Sequence, residues 1–212
     1  CVPMVRMSLP ARRRALVDAA LTVIAREGLA AASVRAIVTE AGMPLGAFHY
    51  AFDSGEELLS SAIEQVTENE RSAVFASLAD LPHGAPLQET LRAGIAGYVQ
   101  TIRSDQGHER ALLELALHQV RSESMGSDGV NGASAQWSVY RAAAATALEV
   151  VAERCNVEWV YPVPDMARRL VLLTDGLTLS WLIDADAEAI DADAQALADL
   201  FCTLARERAA EE

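Results

Sequence analysis

Between Ser33 and Tyr50 the chain leaves room for only two helices of about two turns each, hinged on Gly42. Ser33 suits the N-cap of the first, because its hydroxyl can accept from an early backbone N–H that has no partner inside the helix. Gly42 follows Ala41, where a helix stops easily by passing into a left-handed conformation. Pro44 opens the second helix at a position where a missing N–H costs nothing. Helices this short are not stable alone, so an apolar inner face must hold them to neighbours. Val34, Ile37, Ala41 and Phe48 supply that face, which leaves Leu45, Ala47, His49 and Tyr50 to look outward. Two short helices joined by a tight turn form a helix-turn-helix, which lays its second helix in the major groove of DNA.

The rest of the chain is helical in pattern. Leu16, Ala20, Val23 and Ile24 line one face of a first helix from about Pro10 to Glu27, stopped by Gly28. Ser54-Gly-Glu-Glu57 is a capping box that starts a fourth, long helix running to the Leu81–Gly84 break. Five further helices follow, over about 86–104, 107–121, 134–154, 165–183 and 191–208. Ser122–Ala133 reads as a flexible loop and Trp159–Pro164 as an irregular connector. No segment alternates apolar and polar residues as a half-buried strand does. The expected class is all-α, about nine helices, with a three-helix domain at 8–53 and a larger helical domain at 54–212.

Charge is divided along the same line. Residues 1–52 hold six arginines against three acids, a net +3, while residues 53–212 hold eleven arginines against 27 acids, a net −16. Only the first quarter of the chain can approach a polyanion; the remainder repels one. Three scattered cysteines make no disulfide framework, and the most apolar run, Leu170–Ile183, contains Asp175 and is too short to span a bilayer. A cytoplasmic protein with no membrane partner is the reading. Whether Cys1, ahead of Met4 and Met7, is native is left open; no signal-peptide pattern supports lipidation there.

Residues 12–63 closely resemble the N-terminal domain of TetR-family regulators. The matching elements are Ala19-Ala20, Gly28, Ser33, Ile37, Ala41-Gly42, Gly46, Phe48, Phe52 and Ser54 through Leu59. Asp175-Gly176-Leu177 with Trp181-Leu182 also resembles the penultimate helix of these proteins. The resemblance implies a dimeric repressor that binds a near-palindromic double-stranded operator and is released by a small-molecule effector. The chain departs from the family pattern at Pro44, where a serine is usual, at His49, where a tyrosine is usual, and at Gly55, where a basic residue is common. Its recognition helix therefore carries no permanent charge. It must read bases by shape and by apolar contact with thymine methyls, with a His49 or Tyr50 hydrogen bond. Phosphate anchoring falls on Arg12, Arg13, Arg14, Arg35 and the helix N-termini, so only a few phosphates are engaged per monomer.

The DNA-facing set is thus Arg12, Arg13, Arg14, Ser33, Val34, Arg35, Pro44, Leu45, Ala47, His49 and Tyr50. The effector-pocket candidates are Phe75, Tyr98, Ile102, Glu114, His118, Trp137, Tyr140 and Asp175, for each of which ordinary core or surface is the competing reading. Their mostly apolar character points to a hydrophobic effector. Apolar stripes on the last two helices, Leu170, Leu173, Leu177 and Trp181 with Leu197, Leu200, Phe201 and Leu204, resemble the family's four-helix dimer interface. The acidic run Asp184–Asp193 lacks the glycine and final carboxylate of a calcium loop, and its acids read as caps for the last helix. No metal, cofactor or catalytic motif is recognised. The alternatives are an all-α enzyme or small-molecule carrier with an incidental helix-turn-helix, an architectural interaction module, and a ligand-independent regulator or activator.

Overall fold

A computed structural model describes residues 7–82, 84–124 and 132–208, with the side chains of 122–124 and 132–136 left out. Cys1 and most of the Ser122–Ala133 stretch lie outside the described residues. The elements are α1 (Leu9–Glu27), a single 3₁₀ turn (Leu29–Ala31), α2 (Val34–Glu40), α3 (Leu45–Ala51), α4 (Gly55–Ala79), α5 (Leu87–Ser104), α6 (Gln106–Ser124), α7 (Gly132–Arg154), β1 (Val157–Trp159), α8 (Val163–Asp184), α9 (Ala187–Cys202) and β2 (Ala205–Glu207). Nine α-helices among the described residues make the all-α class plain.

Caps set several of the boundaries. Ser8 and Ser33 cap α1 and α2 through their hydroxyls, which accept from the N–H of Ala11 and Ala36. The Ser54 hydroxyl accepts from the Glu57 N–H at 3.1 Å, and Glu57 reaches back to accept from the Asp53 N–H at 2.8 Å. Asp186 caps α9, accepting from the N–H of Glu188 and Ala189, as the acidic run predicts. Pro44 stands as the N-cap of α3 and is not its first helical residue.

One expectation fails at the C-terminal end. The last helix stops at Cys202, and residues 205–207 form a strand that pairs antiparallel with β1, Val157 opposite Glu207 and Trp159 opposite Ala205. Strands of three residues are too short to show alternation in sequence. Here Val157 and Trp159 turn into the core while Glu158 and Arg206 form an ion pair outside it.

The chain divides into two compact units, and the division does not fall at residue 53. One unit holds Cys1–Val66 with Gly107–Gln136; the other holds Thr67–Gln106 with Trp137–Glu212. The boundary moves because Leu58, Ala62, Ile63 and Val66 of α4 are buried, and because α6 makes a hydrogen bond to the turn after α1.

In the second unit α5 and α9 pack most closely, around Leu91, Ile95, Val99, Ile102, Ile190, Ala194, Leu197 and Phe201. Gly97 on α5 is there because of space. A Cβ at that position would stand 2.5 Å from the Ser77 hydroxyl and 2.9 Å from the Ala73 carbonyl oxygen of α4. The two helices meet backbone to side chain at this point, and no larger residue fits without displacing one of them.

Candidate nucleic-acid interface

The first unit is built on an apolar interior made by α1 (Leu16, Ala20, Leu21, Val23, Ile24), α2 (Ile37, Val38), α3 (Ala47, Phe48, Ala51) and Phe52, all buried. On a seven-residue helix, positions 47, 48 and 51 share one face at i, i+1 and i+4. Ala47 therefore packs inward with only 8% of its surface exposed, a correction to its expected outward role. Pro44, Leu45, Gly46, His49 and Tyr50 form the outer face, with Leu45 44% and Tyr50 67% exposed. The outer face contains no arginine, aspartate or glutamate.

The three arginines of the Arg12–Arg14 cluster have three different surroundings. Arg13 is bound internally. Its guanidinium lies 4.1 Å over the Phe52 ring, and it donates to the Ala51 carbonyl, to Glu57 Oε1 at 2.8 Å and to Ser61 Oγ at 3.1 Å. It fixes the end of α3 to α1 and α4, and its donors are directed at the protein, so the expected phosphate role does not fit it. Arg12 stacks on Tyr50, 5.0 Å from the ring centroid, which draws a cation to the edge of α3. Arg14 is exposed.

Ser33 and Arg35 are exposed beside the start of α2, and Val34 is half-buried. At the other end of α2, Glu40 is taken by Arg26 of α1 at 2.9 Å. That pair offsets the charge of the acid at the end of α2.

Glu57 has both carboxylate oxygens engaged. The Asp53 N–H, and after it the Arg13 guanidinium, hold its pKa below the ordinary glutamate value. This contribution to stability is present above the ordinary carboxylate range and is lost as pH falls through the lowered value.

The expected effector residues are divided between the two units, Glu114 and His118 in the first and the other six in the second. Ile102 is fully buried core, and Phe75 is half-buried against the same apolar cluster. Tyr98 and Thr178 share a hydrogen bond at 2.6 Å. Asp175 sits one helical turn before Thr178 on α8, where burial pushes its carboxyl up to about 6. Trp137 and Tyr140 are half-buried on α7. Glu114 belongs to the other unit: it accepts from the Leu29 N–H at 2.8 Å. His118 is exposed on α6. A groove of about 560 Å³ does exist in the second unit, between the end of α7 and β1, lined by Glu149, Glu153, Glu158, Trp159, Tyr161 and Arg208 among others. None of the eight expected residues lines it.

The expected dimer residues also need correction. Leu177, Leu197 and Phe201 are core, and Leu170, Trp181 and Leu204 pack half-buried against it; only Leu173 and Leu200 are exposed. The free apolar stripe of α8 is instead Leu172, Leu179 and Ile183, which are 59%, 46% and 71% exposed, with Gly176 between them. On α9, exposed Ala189, Ala192 and Ala196 lead along the helix to Leu200. Sequence reading missed this face because α8 is leucine-rich on both sides. No helix among the described residues is long and apolar enough to cross a membrane.

Residues 16–62 match the model of a family described as bacterial regulatory proteins, tetR family. The HTH-type nicotine-responsive transcriptional repressor HdnoR of Paenarthrobacter nicotinovorans is 40% identical over 63 residues, 30% of this chain and 32% of that protein. The HTH-type transcriptional regulator BetI of Agrobacterium fabrum is 30% identical over 135 residues, 56% of this chain and 64% of that protein. The chain thus spans about a third of the first relative and just under two thirds of the second. Among solved structures, a TetR-family transcriptional regulator from Rhodococcus sp. superposes with a TM-score of 0.71 at 19% identity, covering 90% of this chain and 97% of that one. At that identity the likeness is one of fold.

Arg13→Ala is expected to lower folding stability by about 1–2 kcal/mol, through loss of its hydrogen bonds and its contact with Phe52. Arg14→Ala is expected to stay within about 0.5 kcal/mol of the parent. Urea unfolding of both variants checks this; equal stability of the two would remove Arg13 from its bracing role.

Proposed function

We propose that this chain, whose residues 16–62 match the model of the tetR family of bacterial regulatory proteins, is a TetR-like repressor that binds a near-palindromic operator as a homodimer and is released by a small, mostly hydrophobic effector. The observation that carries the reading is the outer face of α3. It is exposed and uncharged, with Arg12 stacked on Tyr50 at its edge, and it lies within residues 1–52, which carry a net +3 while residues 53–212 carry −16. An uncharged helix can enter the major groove and make apolar and neutral hydrogen-bonding contacts with base edges. Arg12, Arg14 and Arg35 take phosphates and set its register. Tyr50 carries Arg12 on its ring, so the aromatic side chain and the cation act as one contact at the groove edge.

Two-fold symmetry follows from the free face of α8 and α9. Leu172, Gly176, Leu179 and Ile183 recur at spacings of four, three and four, the pattern of a helix seam, and Gly176 has nothing within 4 Å of where its Cβ would stand. A second copy of the same face covers this stripe in a four-helix contact. Such a dimer presents two α3 helices to two half-sites about one helical turn of DNA apart.

For the effector, linkage requires tighter binding to the DNA-free form, by about 1–3 kcal/mol of coupling. HdnoR is by its name nicotine-responsive, which supports a small-molecule signal for a chain of this kind. The polar candidates inside the second unit are Asp175, Tyr98 and Thr178.

In a gel shift with DNA from upstream of its own gene, the parent chain is expected to form a discrete complex. His49→Ala combined with Tyr50→Ala should abolish or strongly weaken it. An unaltered complex from the double variant would refute the assignment of α3 as the reader. Sedimentation at micromolar concentration should show a dimer, and Leu172→Glu with Leu179→Glu should yield folded monomers; a monomeric parent chain would overturn the two-fold arrangement.

A further inference from the structure

We propose that Glu114 is a positioning residue for operator binding: from α6, its carboxylate clasps the joint between α1 and the helix-turn-helix. The inference rests on the DNA-binding reading above and names the group through which α6 holds the DNA-reading unit in place.

The joint is a weak point in the chain. α1 ends at Glu27, and Gly28 leaves the helix at φ +85° and ψ 162°, a backbone conformation open to glycine and costly for any other residue. The 3₁₀ turn that follows contains no fully buried residue, Leu29 and Ala31 being half-buried and Ala30 exposed, so packing holds it only in part. Residues 28–33 nevertheless set where α2 begins, because Ser33 is its N-cap.

Glu114 adds a polar hold to this partial packing. Its Oε1 accepts the Leu29 N–H at 2.8 Å, the first N–H after the glycine and one that no helix partner satisfies. A carboxylate accepting a backbone N–H makes a stronger bond than a neutral acceptor does. The same oxygen lies 3.3 Å from where a Cβ on Gly28 would stand. The glycine is thus needed twice, for its backbone angles and for the approach of the carboxylate.

α6 belongs to the same compact unit as α1–α3. Buried Ala111, Leu112 and Leu115 flank Glu114 along the helix, so the carboxylate is presented from a packed helix and not from a mobile loop. Losing the clasp frees residues 28–33 and lowers the fraction of molecules with α2 and α3 correctly set. Apparent operator affinity falls by that fraction, while the helices themselves persist.

The test compares Glu114→Ala, Glu114→Gln and the parent chain. Gln keeps an accepting oxygen at the same reach, and Ala removes it. Amide exchange at Leu29 is followed by NMR, operator binding by fluorescence anisotropy with DNA from upstream of the gene, and folding by thermal melting. In Glu114→Ala, Leu29 exchange should accelerate by about tenfold or more and operator Kd should weaken about tenfold, in line with one lost charge-assisted hydrogen bond. Glu114→Gln should recover most of both. A merely structural role would shift the melting temperature without this paired change and its rescue.

Unchanged Leu29 exchange in Glu114→Ala overturns the clasp. Faster exchange with parental operator affinity overturns the positioning role. If Glu114→Ala does not fold, Glu114→Gln against Gly28→Ala decides: parental behaviour of Gln with weakened DNA binding by a folded Gly28→Ala supports the proposal, and any other pattern opposes it. Failure of the parent chain itself to bind DNA overturns the regulator reading and this role with it, while Leu29 exchange still reports on the contact.

Discussion

The placement of α3, the helix proposed to read DNA, depends on one guanidinium. Arg13 leaves α1, lies across the Phe52 ring, and donates to the last residue of α3 and to two side chains of α4. α3 has only seven residues, too few to hold its own conformation. It keeps its place because Ala47, Phe48 and Ala51 are buried beneath it and because its C-terminal carbonyl is fixed by a cation whose other donors are fixed in turn. Glu57 completes the arrangement, joining the start of α4 to the Asp53 N–H and to Arg13. Three helices are thus registered by a small network at the base of the recognition helix, and its outer face is free of structural duty.

That division of labour is how, under the proposed function, an acidic chain would bind a polyanion. The first unit uses Arg13 and Arg26 for its own ion pairs, with Glu57, Glu27 and Glu40. Arg12, Arg14 and Arg35 are left for the proposed phosphate contacts. The acidic balance lies beyond residue 52, and the carboxylate of Glu57 close after α3 is engaged by Arg13 and the Asp53 N–H. Non-specific attraction is therefore modest, and recognition leans on fit between α3 and base edges.

What the sequence made legible is local. The capping residues Ser8, Ser33 and Ser54 were readable because a cap and its partner lie within four residues, as was the stop at Gly28. The helix-turn-helix was readable because its spacing is short and rigid. What stayed hidden depends on distant partners. Arg13 looks like its neighbours Arg12 and Arg14 until residues 38 to 48 positions away close around it. Glu114, 85 positions from Leu29, looks like any carboxylate on an amphipathic helix. α8 bears leucines on two opposite faces, so periodicity alone could not tell Leu170, Leu177 and Trp181, which pack inward, from Leu172, Leu179 and Ile183, which do not. The strand pair at 157–159 and 205–207 is too short for any pattern to announce.

The central claim is that an uncharged helix reads the operator while a few arginines outside it hold the phosphates. The salt dependence of operator affinity tests this most directly, because each neutralised phosphate adds about 0.9 to the slope of log K against log salt concentration. Three phosphates per monomer, about six for the dimer, predict a slope near −5. A slope of about −10 or steeper would contradict the account, since it would require more phosphate contacts than Arg12, Arg14, Arg35 and the helix N-termini can make.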